Sequence, residues 1–114
     1  MKTILYHNQS CSKSCAVLAE MSKLTADFEI INYLENTPSK AELKEILALL
    51  SIPAFELIRK NEPAFKKFEN KHHSEDEWID IMVSHPILIE RPIVIHGNQA
   101  AIGRPIERVI DLFQ

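Results

Sequence analysis

Arginine is scarce in this 114-residue chain. There are only four, Arg59, Arg91, Arg104 and Arg108; lysine supplies most of the positive charge, so each guanidinium invites its own explanation. Cysteine is as scarce. Two thiols, Cys11 and Cys15, are too few for a secreted disulfide framework. No apolar run approaches the ~20 residues that span a bilayer, and the first apolar run is too short for a secretory leader. A formal charge of −3 offers no basic surface to nucleic acid. No Cys or His spacing fits a zinc site, so no metal is expected, and His72 and His73, with His85 and His96, are read as solvated. Linkers, repeats and low-complexity segments are missing. What is left is a single cytoplasmic domain, residues 1–114, with its thiols normally reduced.

The hydrophobic pattern orders the elements. Residues 2–6 read as a strand and 12–24 as a helix, with Val17, Leu18, Met21 and Leu24 at helical spacing. Phe28 to Tyr33 reads as a buried strand, parallel to the first. Two capping boxes, Ser39-Lys40-Ala41-Glu42 and Ser74-Glu75-Asp76-Glu77, start further helices. Short helices fit around Ala54–Ile58 and Ala64–Phe68. Ile87-Leu88-Ile89 and Ile93-Val94-Ile95 return to β structure, Gly97-Asn98 turns, and Pro105 suits the first position of a last helix. The order is βα, β, helical insert, ββα. It matches an α/β, thioredoxin-like fold with a mixed four-stranded sheet and an all-helical insertion at approximately residues 38–85.

Cys11 stands where a strand, a polar turn and a helix meet. Free amides and the helix dipole favour negative charge there, which lowers a thiol pKa and also binds oxyanions. A protonated His7 could further help ionisation, or His7 could hold the turn; a surface His at a strand end is the plainer alternative. Asn8 fits a local bond to the turn backbone. Ser12 and Ser14 fit either helix capping or oxyanion donation. Cys15 lies one helical turn beyond Cys11, with Cα atoms ~6 Å apart, inside the outer disulfide range. We read it as a small packing residue beneath the loop, with a resolving thiol as the alternative.

Tyr6-His7-Asn8, Cys11-Ser12-Lys13-Ser14, Tyr33-Leu34-Glu35-Asn36, Leu57-Ile58-Arg59-Lys60-Asn61, His85 to Val94 and Gly103-Arg104-Pro105 together resemble the glutaredoxin-dependent arsenate reductase (ArsC-like) family over nearly the whole chain. The chain looks like its shorter members. The resemblance implies an oxidoreductase in which Cys11 attacks arsenate and Arg59, Arg91 and Arg104 bind the oxyanion. It further implies that His7, Asn8 and Ser14 support the nucleophile, and that Pro92 is a cis-proline beside the site. Glutathione as co-substrate and glutaredoxin as protein partner would supply electrons, with no bound cofactor. Planar guanidinium groups grip tetrahedral oxyanions in pairs and offset the charge that repels a thiolate. Arg108 is read as a surface ion-pair residue. The chain departs from the family at Cys15, often Arg there, and at Gln9, usually Pro. Two alternatives remain: an Spx-like redox-sensing transcriptional regulator, and a thiol oxidoreductase acting on another substrate.

Overall fold

The apolar opening of the chain becomes β1 (Thr3–His7), every residue of which except Ile4 is buried, because β1 is an inner strand of the sheet. The computed structural model describes residues 2–113 and divides into two units. The first runs up to Asn36 and resumes at Arg91; the second is Thr37–Glu90.

In the first unit β1 leads into α1 (Ser12–Leu24), then β2 (Glu29–Asn32). The chain resumes with the hairpin β3 (Ile93–His96) and β4 (Gln99–Ile102), and ends in α4 (Glu107–Asp111). The sheet order is β2-β1-β3-β4, with β1 parallel to β2 and the other two pairings antiparallel. Leu5 lies opposite Val94, and both pack with Val17 and Met21 of α1 and Val109 of α4 in one core. The topology is thioredoxin-like α/β, with a mixed four-stranded sheet.

Three expectations need correction. Phe28–Tyr33 is not a buried strand: β2 is an edge strand with one neighbour, and Ile30 is 50% exposed. The strand paired with β3 is Gln99–Ile102, whereas 86–88 forms a 3-10 turn. Pro86, with no amide hydrogen, suits the start of that turn and not a ladder. The last helix begins at Glu107, two residues beyond Pro105.

The second unit is helical. Both capping boxes form, Ser39 with Glu42 opening α2 (Lys40–Leu50) and Ser74 with Glu77 opening α3 (Glu75–Ser84). Each satisfies two amides that a helix start leaves unpaired. The short segments Ala54–Leu57 and Pro63–Lys67 are 3-10 turns, and an isolated bridge joins Ile58 to Ile89. Phe55, Phe65 and Trp78 share ring contacts, with Trp78 buried.

Gly103 closes the first unit where no side chain fits. A Cβ there would stand 2.7 Å from Val17 Cγ2 and 2.8 Å from Pro92 Cγ, while its amide donates to the Pro92 carbonyl at 2.8 Å. Neither neighbour is free to move, since Val17 is core and Pro92 is a ring. Gly103→Ala is therefore expected to lose about 1–3 kcal/mol, the usual range for overpacking. A chemical denaturation midpoint equal to that of the parent protein would contradict this.

Candidate active site

The turn between β1 and α1 is tied by its own polar groups. The Asn8 carbonyl accepts from the Cys11 amide at 3.0 Å, and Asn8 Oδ1 accepts from the Ser10 amide at 2.9 Å. The Asn8 amide donates to Ser14 Oγ at 3.1 Å. Ser14 is fully buried and shares a 2.6 Å hydrogen bond with His7 Nδ1. His7, Asn8 and Ser14 thus form one clasp that sets where the helix begins.

His7 therefore holds the turn. Burial lowers its pKa, because a charged ring would lose its hydration there, which disfavours the imidazolium as an aid to ionisation. The Ser14 hydroxyl is likewise committed to the clasp, which leaves its amide for the sulfur.

Cys11 is the N-cap of α1, with extended backbone (φ −104°, ψ 119°). It is only 8% exposed, more buried than a turn-to-helix junction implies. Burial raises its thiol pKa and is the largest single influence. Hydrogen bonds from the Ser14 and Lys13 amides, the Arg91 charge and a hydrogen bond from Arg104 together outweigh it, so the thiol pKa is lowered. Those four influences set this buried sulfur apart from an inert core thiol.

Arg104 joins the two halves of this pocket. Its Nε donates to the Arg91 carbonyl at 2.9 Å, and its Nη2 donates to Cys11 Sγ at 3.4 Å. Arg91 Nε is buried with no hydrogen-bond partner. The peptide bonds Arg91–Pro92 and Arg104–Pro105 are both cis; the family resemblance implies the first, and nothing in the sequence marks the second. A cleft of about 390 Å³ adjoins the site, lined by Lys13, Ala16, Gly103, Arg104, Pro105 and Ile106.

Sequence reasoning does not single out Lys13. Its position two residues past the nucleophile, where a helix has a free amide, is the signal that could have found it.

Arg59 belongs to the second unit. There its Nη1 donates to the Ile87 carbonyl at 3.2 Å and lies 3.4 Å from Glu62 Oε2, the ion-pair role usual for an arginine. Cys15 is not the packing residue expected beneath the loop. It is exposed, and its thiol donates to the Gln9 carbonyl at 3.4 Å. The buried face of α1 is Ser14, Val17 and Met21, and Cys15 lies one position around the helix from it.

The histidines are less solvated than expected. His73 packs on Trp78 and Phe68, His85 packs on Phe68, and His96 Nδ1 bonds Thr3 Oγ1 at 2.8 Å. Among the described residues no group of three or more His, Cys, Asp or Glu could hold a metal ion. No helix among them is long and apolar enough to cross a membrane.

The ArsC family model matches residues 6–112. This chain belongs to the ArsC family. It is 38% identical over 113 residues to an arsenate reductase of Escherichia coli, covering 96% of this chain and 79% of that one. It is 37% identical to the uncharacterized protein YfgD of Escherichia coli strain K12, covering 95% and 93%. The solved arsenate reductase from Vibrio cholerae superposes with a TM-score of 0.91 at 37% identity, covering 97% of each chain.

Two measurements test the electrostatics of this ArsC site. Arg104→Ala removes one donor to the sulfur, so the pH midpoint of Cys11 alkylation by iodoacetamide is expected to rise; an unchanged midpoint would remove Arg104 from the pocket. The second concerns His7. Unfolded chain takes up a proton near the ordinary value of 6.5, whereas the buried ring resists it to lower pH. The stability this contributes is complete above that value and is lost as pH falls through the lowered folded one. Replacing His7 by Gln should flatten the fall in urea midpoint between pH 7 and pH 5.

Proposed function

We propose that this chain is an arsenate reductase, an oxidoreductase that converts arsenate to arsenite with Cys11 as nucleophile. The observation that carries the reading is the Arg104 guanidinium 3.4 Å from the Cys11 sulfur, itself held by the Arg91 carbonyl. The arsenate reductases among its ArsC relatives support it.

In this reading the thiolate attacks arsenic and water leaves. Arg104 and Arg91 neutralise the oxyanion, and the free amides at the start of α1 take further oxygens. The unpartnered Nε of Arg91 supports an anionic guest, because a buried cationic donor without an acceptor is costly. Arg59 remains a third oxyanion ligand on the family resemblance alone. Glutathione attacks the adduct as co-substrate, glutaredoxin completes a two-electron reduction, and a reducing cytoplasm suits both thiols. No bound cofactor or metal is required. A redox-sensing regulator has no use for two arginines arranged around the sulfur, and that reading gains no support.

The test is arsenite release from arsenate with glutathione and glutaredoxin. Turnover is expected for the parent protein and none for Cys11→Ser. Turnover retained by the variant would remove the nucleophile; absent turnover in the parent would remove the function.

A further inference from the structure

We infer that Cys15 is a resolving thiol, which attacks the sulfur of an oxidised Cys11 and closes a disulfide within the first turn of α1. The inference rests on the proposed reductase reading.

Two objections to such a bond lose force in the structure. Were Cys15 buried as packing, it could not move; it is exposed and both thiols are free. Were both cysteines in helical conformation, their Cβ bonds would run parallel; Cys11 instead has extended backbone as the N-cap. The Cys15 thiol reaches back to the carbonyl of Gln9, two residues before Cys11, so it already projects over the turn that carries the nucleophile. The bond from the Cys15 amide to the Cys11 carbonyl, 3.0 Å, holds the two in helical register, beside the clasp that fixes Ser14. It is the first bond of the helix, and helix ends fray readily.

The chemistry balances without an added oxidant. Cys11 forms a sulfur–arsenic bond to arsenate as one arsenate hydroxyl takes a proton from solvent and leaves as water. The Cys15 sulfur then attacks the Cys11 sulfur. A sulfur–sulfur bond forms and the sulfur–arsenic bond breaks. Its electron pair stays on arsenic, which goes from As(V) to As(III) and leaves as arsenite with the proton from Cys15. Two thiols are oxidised, matching the two electrons gained. In this route Cys15 takes the place given above to glutathione at the adduct, and glutathione and glutaredoxin act afterwards, on the disulfide.

The experiment uses fully reduced protein freed of all small thiols and mixed with arsenate. One arsenite per chain is expected, with loss of both titratable thiols. Lys13 lies between the cysteines, so trypsin should yield two peptides joined through Cys11 and Cys15. Cys15→Ser should release no arsenite under these conditions. The inference is overturned if the parent turns over with glutathione and glutaredoxin yet releases nothing without them. It is equally overturned if Cys15→Ser still releases arsenite, or if the disulfide links two chains. A parent protein inactive even with external thiols would instead sink the reductase reading, and this inference with it.

Discussion

One contact joins the distant ends of the site, the guanidinium of Arg104 against the sulfur of Cys11. It is a contact between residues 93 positions apart in sequence, and the sheet makes it. β1 delivers the sulfur and β4 delivers the arginine, while β3 between them begins just after Arg91, whose carbonyl fixes the Arg104 side chain. The C-terminal ends of β1 and β4 and the start of β3 lie on the same side of the unit, so a change in register would separate sulfur and cation. Gly103 adds a steric condition: only a residue without a side chain lets the chain pass between Val17 and Pro92 and present Arg104 at the right height.

Burial and charge oppose each other at Cys11, and the outcome is decided by number. Desolvation alone would raise the pKa of a thiol that is 8% exposed. Two amides and two arginines reverse it. No one of them is sufficient, which explains why the pocket is built from three elements and not from the helix terminus alone. The His7–Ser14–Asn8 clasp belongs to the same logic. The buried imidazole holds the turn through its hydrogen bond to Ser14, and burial disfavours its charged form.

Local rules were legible in the sequence, and long-range ones were not. Both capping boxes form as read, because Ser at the cap and Glu three residues later act within one turn. The place of Cys11 at the start of α1 is legible for the same reason. The placement of Ile30 is not: β-branched residues look alike in edge and central strands, and only the sheet order shows which is which. The apolar run at 87–89 misleads similarly, because burial in a 3-10 turn needs the same residues as burial in a strand. For Cys15, composition favours burial, since free Cys is commonly inside. One step around the helix from Ser14 places it outside.

The substitution at position 15 changes the balance of the pocket. Where family members often carry an arginine, this chain has a thiol, and the cations found near the sulfur are Arg91 and Arg104. An arginine one turn into α1 would add charge but would also sit at the positive end of the helix dipole, where a cation is disfavoured. A neutral thiol avoids that conflict and leaves the Arg91 Nε, buried and unpartnered, as the unfilled donor. Binding of a polyanion would then complete the pocket's hydrogen bonds and lower the field that stabilises the thiolate in the same event. The thiolate fraction and its intrinsic nucleophilicity move in opposite directions as that field changes, so the pocket's cations set a balance between the two.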